Sequence, residues 1–385
     1  MRKKAILAWE LGYGLGHIGV LSPVAERLNK TGWDCILAGH IDHATRGLVP
    51  TSSVAITPPP LLTVQRNSAS YAELLYNAGF HNPIAALAAV KGWLSIFDKY
   101  SPSVLVADLA PFAILAARIA GLPVVITGSS FNLPPPISPQ PYLRAWDVAA
   151  SHVPIRKMET AALQGINTVL SFNNRKAVET VFEMYDHATP VLCTYAALDH
   201  FDRNALTQPV AYCGPIRVED KGCSTPWPDG SGPKVFVHLK NSNSNTGVVM
   251  GALAKMGCRT LAYIPNHPKA FNKNQLISNV PFNLLEVAFD ADLAITQGNL
   301  STSLFFIERG VYVISSPEIL EQALSAQRIA KMGFGSILAN GSGENDAIKA
   351  IAQGIETHPT STLFRKLTLE ESVNLLIAAI NQCAS

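Results

Sequence analysis

Charge is scarce in this 385-residue chain: Asp, Glu, Lys and Arg make up 15% of it, against about 25% in an ordinary globular protein. What charge there is nearly cancels, 30 basic side chains against 28 acidic, for a net of +2. No strong field of one sign remains to steer the chain to nucleic acid or to an anionic membrane, so no nucleic-acid partner is expected. Apolar residues at 48% exclude a disordered chain. Long uncharged apolar runs are missing as well. The stretch 103–127 carries Asp108 and Arg118 and fails as a membrane span. Basic Arg2, Lys3 and Lys4 lead into only five apolar residues before Glu10, too short a run for the core of a signal peptide. The expectation is a cytoplasmic protein with no integral membrane segment. Cysteine is sparse, six in all, with no Cys-x-x-Cys spacing and no clustered His, which predicts buried free thiols rather than disulfides or zinc.

What is present is a repeated strand–turn–helix rhythm. Ala5–Trp9 is a short apolar run suited to a strand buried on both faces. Gly12, Gly14 and Gly16 follow, and then Ile18, Leu21, Val24, Ala25 and Leu28 recur at helical spacing. Thr31-Gly32 ends that helix, and residues 33–38 read as a second strand. A strand at 103–107 ends at Asp108, a helix covers 113–120, and a further strand follows at 122–126. The proline-rich segment 133–141 is excluded from regular structure, because proline lacks the backbone donor. After a polar linker the rhythm restarts: strands at 234–239, 259–264, 292–296 and 310–314, helices at 248–256, 301–308 and 320–332, and a closing helix near 367–381. Alternation of this kind predicts an α/β fold with parallel sheets covered by helices on both faces. Two doubly wound, Rossmann-like domains with a cleft between them are expected: 1–216, a linker at 217–232, 233–365, and a last helix, 366–385, packing back toward the first domain.

Two constellations carry chemistry. Gly14-Leu15-Gly16-His17-Ile18-Gly19 matches G-x-G-x-x-G after a strand, but the acid that a dinucleotide site wants at the end of the second strand is not in place, since Asp42 comes late. A tight turn without a cofactor remains open. His17 sits on the first helical turn, where the helix N-terminus disfavours imidazolium and helps keep a base neutral. Asp108 ends another strand on the same sheet edge, where a carboxylate can orient the imidazole. Capping and packing roles for both stay open. In the second half, Thr296-Gln297-Gly298-Asn299-Leu300-Ser301-Thr302 opens a helix whose free N–H groups can hold an anion. Glu321 and Gln322 follow the next strand and suit a polyol. Simple polar capping would explain the same residues.

With those residues in place, the chain resembles the GT-B glycosyltransferases, the broad class of UDP-glycosyltransferases, macrolide glycosyltransferases and MurG-type enzymes. Gly14-Leu15-Gly16-His17 is similar to the family's first loop, and Thr296–Thr302 aligns without gaps to its Thr-His-Gly-Gly-x-Gly-Ser/Thr loop. Gly310-Val311 and Pro317-x-x-x-Glu321-Gln322-x-x-Ser325-Ala326 follow the family's next motifs. The resemblance implies a metal-independent, inverting transfer of sugar from a nucleotide sugar, UDP- or dTDP-linked, to an acceptor hydroxyl. His17 would be the base and Asp108 its support. Donor contacts would come from Gly16, Lys240, Asn241, Phe282, Gln297, Gly298, Asn299, Ser301, Thr302, Glu321 and Gln322. By position in the family pattern, Pro281, Phe282 and Asn283 would lie near the nucleotide base. Phe131, Tyr142 and Trp146 would serve an acceptor of unspecified identity. No resident cofactor and no metal are expected. The chain departs from the pattern at Gln297, Asn299 and Phe305, where the family carries His, Gly and a ribose-binding Glu, and at Lys240–Asn245, where it carries a Gly-Ser-x-Gly turn. Those departures keep a non-catalytic sugar-nucleotide-binding or activator relative in play, and a sugar-nucleotide hydrolase or epimerase stays open because such enzymes share this architecture and suit a glycine-rich loop with His.

Overall fold

The computed structural model describes residues 2–12, 15–64, 67–144, 155–206, 209–217, 222–267, 270–271, 273–360 and 366–385. The chain divides into two compact units: Met1–Ala196 with Phe201–Arg217 and Leu367–Ser385, and Ala197–His200 with Val218–Lys366.

The first unit is built on seven strands, β1 (Lys4–Ala8), β2 (Asp34–Ala38), β3 (Val54–Ile56), β4 (Val104–Ala107), β5 (Val124–Ile126), β6 (Thr189–Leu192) and β7 (Ala211–Tyr212). Their order is β3-β2-β1-β4-β5-β6-β7, and every pairing is parallel. Parallel strands need crossover helices, which cover both faces and demand apolar residues on both. β1 obeys this residue by residue. Ile6 and Ala8 join Ile36, Leu105 and Ala107 in one core, while Ala5 and Leu7 join Leu37, Val104 and Val106 in the other. Helix Leu15–Lys30 covers the second face with Ile18, Leu21, Val24, Ala25 and Leu28, and the closing helix Leu369–Cys383 adds Val373, Leu376, Ile377 and Ile380 beside it.

The second unit repeats the plan with β8 (Lys234–His238), β9 (Arg259–Tyr263), β10 (Ala270–Phe271), β11 (Gln275–Ser278), β12 (Leu293–Thr296), β13 (Tyr312–Ser315) and β14 (Gly335–Ile337). The order is β10-β11-β9-β8-β12-β13-β14, parallel except for the antiparallel edge strand β10. Each sheet therefore reverses direction of winding once, between β1 and β4 and between β8 and β12. Ligands bind such sheets in the crevice beyond the strand ends at that reversal.

The strand–helix rhythm of the sequence is present, with boundaries moved by one to two residues in most elements. The sequence pattern leaves several elements unassigned: the helices Ile155–Phe172, Leu284–Asp290 and Glu344–Glu356, and the short strands β6, β7, β10, β11 and β14. The segment 133–141 has no regular structure. Gln140 braces it, donating Nε2 to the carbonyls of Pro135 (3.0 Å) and Ile137 (2.6 Å), while its N–H donates to buried Glu159 at 2.8 Å. Cys35, Cys193, Cys213 and Cys258 are buried free thiols, whereas Cys223 is exposed and Cys383 half-buried. No helix among the described residues is long and apolar enough to cross a membrane.

Candidate functional site

In the first unit the reversal point between β1 and β4 holds a His–carboxylate pair. β1 is followed by buried Trp9 and Glu10, and helix Leu15–Lys30 carries His17 as its third residue. β4 runs into Asp108. His17 Nδ1 lies 3.0 Å from Asp108 Oδ1, with the imidazole side chain 17% exposed and the carboxylate 3%. An ionised carboxylate only accepts, so Nδ1 is the ring nitrogen that donates to it. Trp9 stacks along the imidazole, with ring centroids 6.5 Å apart and planes 12° from parallel.

The backbone around this pair is unusual in ways that serve it. Gly12 has φ +87°, and a Cβ there would lie 2.4 Å from His17 Nε2. Glycine is thus required twice, for its conformation and for the close approach of the imidazole ring. Leu109, directly after Asp108, holds φ 51°, an outlier for a bulky side chain. Its carbonyl accepts the N–H groups of Glu10 (3.4 Å) and Leu11 (3.2 Å), tying the exits of β1 and β4 together.

Asp108 has a second partner that no spacing in the sequence suggests. Asn132 Nδ2 donates to Asp108 Oδ1 at 2.6 Å and to the Thr127 carbonyl at 2.7 Å. Gly128, at φ +85°, leaves the room for this: a Cβ there would fall 2.3 Å from both Asn132 Nδ2 and Asp108 Oδ1. Tyr71 donates its hydroxyl to the Asn132 carbonyl at 3.0 Å and fixes the segment from the other side. Just below, Glu10 accepts from Trp93 Nε1 and, at 2.8 Å, from the N–H of Phe112 at the start of helix Pro111–Ala120. Burial pushes the Glu10 carboxyl up to about 8 against the pull of those donors, so it is mostly protonated at neutral pH.

Of the expected acceptor residues, Phe131 is buried and packs on Tyr71 (5.8 Å) and Phe201 (6.1 Å). Tyr142 lies half-buried in the irregular segment, and Trp146 falls outside the described residues, as does Gly14. Gly16 is exposed, and a Cβ on it would meet nothing.

In the second unit, the reversal between β8 and β12 is lined by the two expected loops. His238 ends β8 and packs on Tyr263 at 4.8 Å. Burial, aided by nearby Lys240, lowers its pKa to about 4 and keeps it neutral. The following turn is knotted by asparagines. Asn243 Nδ2 donates to the Ser316 carbonyl at 3.0 Å, Asn245 Nδ2 to Ser316 Oγ at 2.9 Å and to the Ala339 carbonyl at 2.8 Å. This side-chain network pins a turn that glycines shape in the family it resembles, and it leaves Lys240 and Asn241 exposed.

After β12, Thr296 Oγ1 accepts the Gly298 N–H at 3.0 Å, and Gly298 takes φ +84° with no room for a Cβ, which would lie 2.6 Å from the Gln322 carbonyl. Helix Leu300–Ile307 then begins with no side-chain cap among the described residues, because Asn299 Oδ1 instead accepts from Gln322 Nε2 at 3.0 Å. An uncapped N-terminus with Ser301 exposed and Thr302 half-buried is a ready anion cradle. Gln297 Nε2 donates to Glu318 at 3.0 Å. Gln322 is buried, and its Oε1 accepts from the N–H groups of Glu318 (3.0 Å) and Ile319 (3.3 Å), so its amide holds the loop together. Glu321, in the first turn of Leu320–Lys331, is half-buried. Phe282 is in the core, edge-on to Phe236 at 6.4 Å, because Cys223 and Phe282 form a β-bridge. Phe305 is buried too, beside Phe306, which stacks on Phe236.

The chain contains one Asp-x-Asp spacing, Asp290-Ala291-Asp292, which bears on the expectation of no metal. Both carboxylates face the start of β8: Asp292 accepts the Lys234 N–H at 2.8 Å, and Asp290 pairs with Lys234 Nζ at 3.0 Å. They belong to the opposite strand ends from the cradle. Among the described residues no three His, Cys, Asp or Glu side chains converge as a metal site.

The fold that carries these residues has solved counterparts. The chain superposes on the glycotransferase of kitacinnamycin with a TM-score of 0.68 at 14% identity, covering 100% of this chain and 96% of that one. The spinosyn rhamnosyltransferase complexed with thymidine diphosphate gives 0.65 at 15%, covering 99% and 98%. The glycosyltransferase SnogD from Streptomyces nogalater gives 0.61 at 15%, covering 98% and 100%. The fold is therefore the GT-B fold of two Rossmann-like domains. No protein-family model matches the sequence, and no curated protein matches it.

Proposed function

We propose that this chain is a glycosyltransferase that moves a sugar from a UDP- or dTDP-sugar to an acceptor hydroxyl, with inversion at the anomeric carbon. The observation that carries the reading is the His17–Asp108 pair at 3.0 Å, at the reversal point of a GT-B unit. The bound nucleotide in the spinosyn enzyme, thymidine diphosphate, supports a nucleoside diphosphate as the leaving group here.

In this mechanism His17 Nε2 takes the proton of the acceptor hydroxyl as its oxygen attacks the anomeric carbon. A carbon–oxygen bond forms on one face as the bond to the diphosphate breaks on the other, and the electron pair leaves with the diphosphate. Asp108 holds the tautomer and stabilises the imidazolium that forms, and Asn132 holds Asp108. The departing diphosphate is met by the N–H groups at the start of Leu300–Ile307, by the Ser301 and Thr302 hydroxyls, by Gln297 and by Lys240. Glu321 is assigned to the donor sugar. Asn241 is assigned to the phosphates. Tyr142, Phe131 and the proline-rich segment are assigned to the acceptor. No step needs a metal ion.

Thermal stabilisation by UDP-, dTDP-, GDP- and ADP-sugars, with NAD and NADP as controls, tests the donor half. A ligand at a hundredfold its dissociation constant stabilises by about 2.7 kcal/mol. A shift confined to UDP- or dTDP-sugars is expected. A shift only with NAD or NADP would replace this reading with a dinucleotide site at the Gly14–Gly19 motif. No shift with any of them would favour a relative that no longer binds donors.

A further inference from the structure

Two of the groups assigned to the donor diphosphate already face a carboxylate. Glu318 lies one residue past Pro317, and its Oε2 accepts a hydrogen bond from Gln297 Nε2 at 3.0 Å while sitting 3.7 Å from Lys240 Nζ. These are the amide and the ammonium assigned above to the donor diphosphate. The arrangement is held in place. The Glu318 N–H donates to Gln322 Oε1, and Gln322 Nε2 reaches Asn299, which staples the loop carrying Glu318 to the loop carrying the cradle. The Glu318 side chain is 24% exposed against 54% for Lys240, so the carboxylate is the more desolvated partner. Within this contact one ammonium faces one carboxylate, so Lys240 offers a diphosphate no net positive charge while Glu318 stays paired with it.

We propose that Glu318 is a built-in competitor of the donor diphosphate, occupying Gln297 and Lys240 until the donor displaces it. The inference rests on the nucleotide-sugar reading and adds a residue that sets donor affinity according to phosphate charge. An incoming phosphate must take over the donors that Glu318 now holds, and it does so against the repulsion of a carboxylate a few ångströms away. Affinity is thereby lowered for every phosphorylated ligand, most for those with the most charge, and not at all for a bare nucleoside.

The test is calorimetric titration of the full chain, wild type and Glu318→Gln, with dTDP and UDP, their monophosphates and the bare nucleosides. Glu318→Ala provides a second variant should the amide disturb the loop. Removing the carboxylate is expected to tighten nucleoside diphosphate binding by about tenfold, the monophosphate by less and the nucleoside by nothing, with the gain shrinking as salt is raised. Unchanged or weaker diphosphate binding in both variants, with wild-type binding measurable, overturns this inference and leaves the transferase reading standing. An equal gain for the nucleoside overturns it as well, since that is a change of loop shape and not of charge. Absence of diphosphate binding in all three proteins overturns the inference together with the nucleotide-sugar reading beneath it.

Discussion

Replacing Asn132 separates its role as a carboxylate holder from a role in packing. Asn132→Ala removes two donors at once, to Asp108 Oδ1 at 2.6 Å and to the Thr127 carbonyl at 2.7 Å. A hydrogen bond to a charged group contributes about 1.5–3 kcal/mol and a neutral one about 1 kcal/mol, so the loss is about 2–4 kcal/mol. At about 2–4 °C per kcal/mol for a domain of this size, the melting temperature falls by about 5–15 °C. Asn132→Asp keeps the shape and replaces the donor with a second carboxylate beside Asp108. Two carboxylates in contact cannot both ionise, so the folded pair retains a proton that the unfolded chain releases near pH 4. The folded state then binds more protons than the unfolded state above that pH, and its stability falls as pH rises until the pair ionises. Melting curves of wild type, Asn132→Ala and Asn132→Asp between pH 5 and 8 give the answer. The Asp variant should be the least stable at pH 8 and should gain on the Ala variant steadily toward pH 5. Parallel curves for the two variants would refute the Asn132–Asp108 bond.

Glu10 predicts a second pH dependence. Its carboxyl is raised from 4.5 to about 8 by burial, so the folded state binds the extra proton between those values and this group's contribution to stability falls as pH rises through them. Glu10→Gln should flatten that slope while melting near the wild type at pH 5; an unchanged slope on chemical denaturation would assign the dependence to another group. At Gly298, φ is +84° and a Cβ would lie only 2.6 Å from the Gln322 carbonyl, so Gly298→Ala must shift the loop after β12. Titration with UDP or dTDP should show at least about tenfold weaker binding in that variant, since displacing a helix N-terminus forfeits several charge-assisted N–H bonds; wild-type affinity would remove this loop from the donor site.

Features written as local patterns were legible in the sequence. His17 and Asp108 could be found because each follows a short apolar run, and parallel strands buried on both faces leave little ambiguity about which edge their ends share. The cradle at Gln297–Thr302 was legible for the same reason. Asn132 was not, because its partner lies 24 residues away and its segment, a single helical turn at Ser130–Asn132, has no periodicity. Glu318 likewise meets Lys240 and Gln297 only through the sheet order. Phe282 shows the converse: sequence position suggested the nucleotide base, but its ring fills the core against Phe236. Helix Ile155–Phe172 does carry a readable signal in Ala162, Ile166, Val169 and Leu170, which all face the core. Strands β6, β7 and β14 are four residues or fewer and too short for any pattern to emerge.

Sugar transfer with His17 as the base is the central claim. Its most direct test offers wild type and His17→Ala the donor that stabilises the chain, together with a panel of hydroxyl-bearing acceptors, and follows products by mass spectrometry. The expected result is an acceptor heavier by one sugar residue with wild type, and loss of that product in His17→Ala by a factor of about 100 or more with donor affinity retained. Transfer at the wild-type rate in His17→Ala, or donor breakdown to free sugar with no acceptor modified, would contradict it.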